Sequence, residues 1–309
     1  MSPMTDQPGA PLSGRVAIVT GAGRGIGRAT AHSLARHGAR VVVNDFGGSL
    51  SGDAPADEPA ARVAEEIATS GGEARANSDS VAEWPAAQRI IQTALDAFGR
   101  VDLLVNNAGL STDAPIWELD PEVFDRVVRS HLYGGFHCLR AAVPHMKAQG
   151  FGRIVNLVSR AGLIGTSGTP AYGAAKGGLF GLTNVASRDL AGSGVTVNAV
   201  NPSATETRMV TTAIDQLGSQ GEAGARRASG LRQALQAPER VAALITALCL
   251  DAAGSANGQT FYIDKDRVGL FQPLELTQLE AVSTDAGAAD LVQALARLEP
   301  HALGAIYED

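Results

Sequence analysis

Tyr172 and Lys176 stand four residues apart, a spacing that brings both side chains out on one face of a helix. The pair suits proton transfer at a carbinol. A tyrosine hydroxyl titrates near ~10 in water, too high for acid–base work at neutral pH, and an ammonium beside it favours the phenolate. Ser159 lies thirteen residues before Tyr172 and ends the run Ile154–Val158, where it is placed to donate a hydrogen bond to a substrate oxygen. A Tyr-x-x-x-Lys pair also occurs on ordinary helix surfaces, so its weight comes from what surrounds it.

The string Thr20-Gly21-Ala22-Gly23-Arg24-Gly25-Ile26-Gly27 follows a strand-like run and opens a helical pattern. Glycines at 21, 25 and 27 permit a tight turn, close approach of backbone to a pyrophosphate, and close packing of helix on strand. Asp45 comes eighteen residues beyond Gly27, at the end of the next β-branched run. A carboxylate there accepts hydrogen bonds from adenosine ribose hydroxyls and repels a 2′-phosphate, so NAD is the expected cofactor. Arg24 argues for NADP, because a guanidinium beside the turn pairs with that phosphate, and NADP stays open as the alternative.

These residues need a sheet to hold them. Runs at 16–20, 41–43, 101–105, 154–158, 195–200 and 260–263, with a weaker one at 73–77, are β-branched or aromatic and bounded by turn residues. Helical patterns at 25–37, 60–69, 84–98, 121–148, 171–191 and 238–250 separate them, with Pro85, Pro121 and Pro238 suited to first turns. The expected fold is therefore α/β: a doubly wound, Rossmann-type parallel sheet of about seven strands with helices on both faces. We expect a single catalytic domain over 14–268, a flexible N-terminus 1–13, and a tail 269–309 with one helix near 286–298. Residues 46–59 read as an exposed loop, and 205–237, polar and pattern-poor, as a mobile lid.

Of the 309 residues, 45% are hydrophobic and 18% charged, a globular composition. The net charge of −7 gives no basic field for a nucleic-acid backbone, and no run approaches the ~20 apolar residues of a membrane span. Met1–Gly14 lacks the basic start and apolar run of a signal peptide, and the expected compartment is cytoplasmic. Cys138 and Cys249 sit in apolar helical stretches and read as reduced core residues. His131, His137 and His145 are spaced six and eight apart, which does not suit two ligands on one helix face, so no metal site is expected.

Taken together, the glycine string, Asn106-Asn107-Ala108-Gly109 after the fourth strand, Ser159, Tyr172 and Lys176 resemble the short-chain dehydrogenase/reductase family over residues 14 to about 265. The resemblance implies hydride exchange between a nicotinamide and a secondary alcohol or ketone. It makes Asp79, with Ser80 beside it, the contact to adenine, and Asn106 the organiser of the cofactor loop that Ala108 and Gly109 complete. Pro202 and Thr207 would flank the nicotinamide. Members usually form dimers or tetramers through the helices that here span 121–148 and 171–191.

His131 stands where the family keeps a relay asparagine, and two roles stay open: a backbone carbonyl that holds a relay water, or a structural helix histidine. Pro202-Ser203 replaces the usual Pro-Gly, placing a Cβ and hydroxyl near the cofactor, and Asp264-Lys265-Asp266 replaces Asp-Gly-Gly. Asn44-Asp45-Phe46-Gly47-Gly48, Ser78-Asp79-Ser80-Val81 and Leu95–Arg100 are similar to the dehydrogenase part of peroxisomal multifunctional enzymes, which oxidises R-3-hydroxyacyl-CoA with NAD. Alternatives are an NADPH-dependent 3-oxoacyl reductase, a dehydrogenase of steroids or other cyclic alcohols, and a non-catalytic dinucleotide sensor. Segments 110–118, 160–170 and 205–237 are expected to line the substrate pocket, with Ile116, Trp117, Leu163 and Ile164 favouring an apolar substrate; Trp117 serves equally as a core residue.

Overall fold

Strands and helices alternate from Val16 onward in the computed structural model, which describes residues 9–48, 58–110, 113–272, 278–284 and 287–298. Strand β1 (Val16–Thr20) leads through α1 (Gly25–Arg36) to β2 (Arg40–Asn44), α2 (Pro59–Thr69) and β3 (Ala74–Asn77). Then follow α3 (Trp84–Phe98), β4 (Leu103–Asn106), α4 (Pro121–Val128), a π-helical turn Arg129–Tyr133, α5 (Gly134–Gln149) and β5 (Gly152–Leu157). The short α6 (Arg160–Leu163), α7 (Pro170–Asp189), β6 (Val195–Pro202), α8 (Arg208–Gly218), α9 (Gly221–Ala234), α10 (Pro238–Cys249), β7 (Thr260–Asp264) and β8 (Arg267–Leu270) complete the sheet unit. Contacts divide the chain into two compact units, Met1–Leu270, which carries the sheet, and Phe271–Asp309, in which α11 spans Ala288–Leu295.

The sheet has eight strands in the order β3-β2-β1-β4-β5-β6-β7-β8, parallel through β7. β8 runs antiparallel to β7 across a tight hairpin at Lys265-Asp266, one strand more than the sequence pattern predicts. Its four residues include three exposed side chains, so no buried apolar run announces it. Alternation along β1 shows why helices cover both faces: Val16 and Ile18 pack with α3, α5 and the end of α7, while Ala17 and Val19 pack with α1, α2 and α10.

Other expectations need correction. Residues 205–237 contain two helices, α8 and α9, where a lid without pattern was expected; Met209, Val210, Ala213, Ile214 and Leu217 form an apolar stripe on α8 that the sequence reading passed over, whereas α9 is polar and buries only Gly224 and Ala228. The predicted helix 121–148 is interrupted by the π-helical turn at 129–133, an insertion that apolar periodicity does not register. The expected flexible N-terminus falls outside the described residues over 1–8, but Leu12 is fully buried and its N–H donates to His37 O at 2.9 Å. Most of the expected 46–59 loop, residues 49–57, lies outside the described residues. Among the described residues no helix is long and apolar enough to cross a membrane.

Candidate active site

The chain winds outward from β1 to β3 in one direction and onward from β4 in the other, so the carboxyl ends of β1 and β4 part at a switch point. Thr20 straps that point together. Its hydroxyl accepts the N–H groups of Asn107 and Ala108, both at 3.1 Å, and the Asn107 side-chain amide donates to Thr20 O and Gly21 O at 2.9 and 3.0 Å. Gly21 and Gly25 take φ of +63° and +50°, backbone that side chains rarely adopt. A Cβ on Gly23 would stand 2.5 Å from Pro59 Cβ, and one on Gly27 2.2 Å from Gly21 O. Arg24 is the N-cap of α1 in extended conformation and its side chain does not cap the helix, which leaves first-turn N–H groups without a side-chain cap, the arrangement that suits an anion.

Above this turn lies a cavity of about 410 Å³. Gly21, Arg24, Gly25, Ile26, Asp45, Asp79, Ser80, Ala108, Gly109, His131, Tyr172, Lys176, Pro202 and Thr207 line it. Gly27 lies beneath it as a packing glycine. Asp45 accepts the Gly23 N–H at 2.9 Å on one carboxylate oxygen and the Gly47 N–H at 2.8 Å on the other. A carboxylate has about four acceptor sites, so capacity remains toward the cavity. Asp79 is held by Arg89 Nε at 2.8 Å and Asn77 Nδ2 at 3.0 Å, which leaves its edge on the wall at a set orientation. Thr207 caps α8, its hydroxyl accepting from Val210 N–H at 3.4 Å.

The opposite wall carries the titratable set. Ser159 is the N-cap of α6, its hydroxyl accepting the Ala161 N–H at 3.3 Å, and it lies near enough to Tyr172 on α7 to lower the phenol's pKa. One turn on, Lys176 is buried, donates from Nζ to Leu157 O, and sits 5.6 Å from the Tyr172 ring centre. Burial pulls the Lys176 ammonium down to about 7. Burial also raises the Tyr172 phenol, against a lowering by the nearby Ser159 hydroxyl, and Asp113 adds to the rise. In the ligand-free chain burial thus outweighs the lowering of Tyr172, whereas the sequence expectation combined the Lys176 ammonium with the positive charge of a bound nicotinamide.

His131 projects from the π-helical turn, and its ring meets Tyr172 edge-on with centroids 5.2 Å apart. Its Nε2 lies 2.7 Å from Leu110 O and 2.9 Å from Leu110 N, so the ring takes one partner or the other according to tautomer. Burial, and then the Lys176 charge, pull its pKa down to about 3, which keeps the ring neutral. Gly109 passes so close that a Cβ there would stand 1.8 Å from His131 Cε1.

Asn106 does not reach the cavity. Its amide donates to Asn156 Oδ1 at 2.8 Å beneath the wall, and the neighbouring Asn107 organises the turn. Adjacent residues at a strand end point to opposite faces, and nothing in the pair Asn-Asn says which faces the turn. Thr20 and the Leu157 carbonyl are further parts that sequence reasoning missed. Ile116 and Trp117 do not line the cavity; they are 75% and 80% exposed, so Trp117 is no core residue. Leu163 and Ile164 are also outside its wall, whose lining from the expected pocket segments is Leu110, Thr207, Arg208 and Met209.

The sequence profile of the short chain dehydrogenase family matches residues 15–218. This chain is a short-chain dehydrogenase. As such the enzyme is an oxidoreductase acting on CH–OH groups, in a family that uses nicotinamide dinucleotides. It is similar to the crystal structure of a short chain dehydrogenase from Mycobacterium avium, with a TM-score of 0.78, 36% identity, and coverage of 94% of this chain and 97% of that one. It is 39% identical over 258 residues to mouse peroxisomal multifunctional enzyme type 2, 84% of this chain but only 32% of that one. A hydroxyacyl-CoA dehydrogenase of Mycobacterium tuberculosis is 37% identical over 270 residues, 85% of this chain and 81% of its own length.

Proposed function

We propose that this dehydrogenase interconverts a secondary alcohol and its ketone with NAD, and that the alcohol is a 3-hydroxyacyl-CoA. The observation that carries the reading is the placement of Tyr172 and Lys176, one helical turn apart, in the wall of a cavity whose other lining includes the glycine turn and Asp45. The glycine turn fits the cofactor: a Cβ at 21, 23 or 27 would collide with Ala108, Pro59 or the Gly21 carbonyl and spread the turn that faces the cavity. Bound there, the nicotinamide supplies the hydride acceptor.

The protein's own part is to hold and move a proton. Ser159 orients the reacting oxygen and the Tyr172 hydroxyl; Tyr172 Oη takes the carbinol proton as the carbon is oxidised and returns it in reduction. Lys176 provides a positive charge that disfavours a protonated phenol, an effect that grows once its ammonium leaves the Leu157 carbonyl for a ligand. His131, neutral and pinned to Leu110, sets the side of the Tyr172 ring. Asp45 supports NAD, since its carboxylate repels a 2′-phosphate. The acyl-CoA assignment is supported by the likeness to the multifunctional and hydroxyacyl-CoA enzymes.

Steady-state assays with R- and S-3-hydroxyacyl-CoA esters and with cyclic secondary alcohols, each with NAD and NADP, test both parts. The expected result is the highest kcat/KM for the R-hydroxyacyl thioesters, and a preference for NAD of at least about tenfold, ~1.4 kcal/mol. Better turnover of cyclic alcohols overturns the substrate, equal efficiency with both cofactors overturns the role of Asp45, and tight NAD binding without any turnover points to a sensor.

A further inference from the structure

Between the end of β6 and the start of α10 the chain leaves the sheet and returns, and the excursion carries α8 and α9. Thr207, Arg208 and Met209 at its leading end form cavity wall. Its two stalks are zipped together: Thr205 and Gln236 form a parallel bridge, Gln236 N–H donates to Ala204 O, and Glu206 N–H to Gln236 O, both at 2.9 Å. The Gln236 side chain is buried and its amide nitrogen reaches Ser203 Oγ at 2.9 Å, Ile263 O at 3.1 Å and Thr205 Oγ1 at 3.3 Å. Ser203 Oγ in turn donates to Asp264 Oδ1 at 2.8 Å, and Arg267 holds the other Asp264 oxygen at 3.0 Å.

We propose that Ser203 is a positioning residue whose hydroxyl joins Asp264 to Gln236 and so locks the hinge of the α8–α9 arm, holding Thr207 to Met209 against the cavity. The functional half of this rests on the reading of the cavity as a dinucleotide site; the hinge itself does not. A hydroxyl serves because it accepts from the glutamine amide and donates to the carboxylate at once. Without it Asp264 Oδ1 loses its hydroxyl donor, and the Gln236 amide is left with Ile263 O and Thr205 Oγ1, so the root of the arm loses its link to the carboxylate. Ser203, a departure from the family pattern, thereby engages Asp264, the position of the following turn that the pattern keeps, 61 residues on. The hydroxyl does not narrow the pocket, since Ser203 is not part of its wall.

Hydrogen exchange on the ligand-free protein, with kinetics and calorimetry of NAD binding, tests the proposal in Ser203→Ala, Asp264→Ala and the conservative Ser203→Thr. Ser203→Ala is expected to speed exchange over residues 205–236 by about tenfold while amides of α1 and α5 keep their rates. KM for NAD should rise several-fold with a smaller change in kcat, and Ser203→Thr should restore both. Asp264→Ala should act in the same direction, and the double variant should add little, because both remove one linkage. Wild-type exchange over 205–236, or faster exchange spread evenly over the sheet, overturns the hinge. A loosened arm in a protein whose NAD affinity is unchanged supports the hinge and overturns its link to the cofactor.

Discussion

Tyr172 and Lys176 share one helix face and one wall, yet burial acts on them in opposite senses. For Tyr172, the Gly-rich turn and Asp45 are remote from the phenol, so Tyr172→Phe removes one hydroxyl without disturbing the adenosine half of the site. We expect kcat to fall by at least about 100-fold with NAD affinity within a few-fold, measured by steady-state kinetics and calorimetry. Near-wild-type turnover would show that another group moves the proton. For Lys176, the folded value of about 7 lies below the ~10.4 of a free lysine, so between those values the unfolded chain binds more protons. Stability of the ligand-free protein should therefore rise with pH from about 7 toward 10, whereas Lys176→Met should lack that contribution. Each kcal/mol recovered moves the unfolding midpoint by roughly 2–4 °C. Above about 10 the raised Tyr172 works the other way, since the folded state then holds the extra proton. Wild-type and variant melting curves that run parallel across pH 7–10 would refute this account of the lysine.

At the scale of elements, the site depends on how closely α1 approaches β1. Gly27 has an ordinary negative φ, so its need for glycine is spatial: a Cβ would come within 2.2 Å of the Gly21 carbonyl, and backbone cannot swing aside as a side-chain tip does. Gly27→Ala should cost about 1–3 kcal/mol in chemical denaturation and remove most NAD affinity, because the turn and the helix N-terminus separate together. Gly99 offers the contrast. It takes a φ of +78° at the end of α3 with nothing within 4 Å of a built Cβ, so its requirement is conformational alone, and Gly99→Ala should lower stability while sparing cofactor affinity. A stable, NAD-binding Gly27→Ala protein would contradict the packing argument. The π-helical turn has a comparable role on the other wall, where it rotates His131 inward to Leu110.

For the whole molecule, large apolar side chains remain uncovered along the helices that the family uses for assembly: Phe124 on α4, Tyr133 in the π-helical turn, Phe136 on α5 and Val185 on α7 are each at least 40% exposed. Isolated exposed apolar residues are common, but four on neighbouring helical segments suit a buried contact. We expect a homodimer or homotetramer, and light scattering at micromolar concentration should give a multiple of the chain mass. A monomer would direct attention to the β7–β8 hairpin, where Asp264 is engaged by Ser203 and Arg267.

What was legible in the sequence is what short-range chemistry dictates. β-branched runs between turn residues named the parallel strands, glycines before a helix named the turn between β1 and α1, and the spacing of Tyr172 and Lys176 named two side chains of one cavity wall. Such signals are complete within a few residues, because pleat, helical pitch and turn geometry are local. Tertiary structure alone decided that Asn107 faces the turn while Asn106 faces the core, and that Trp117 is exposed. It also decided that the Lys176 ammonium turns to Leu157 and that Ser203 finds Asp264. Each of these depends on which distant backbone or side chain occupies the facing position. That is set by strand order and layer packing, and neighbours in the chain carry no trace of it.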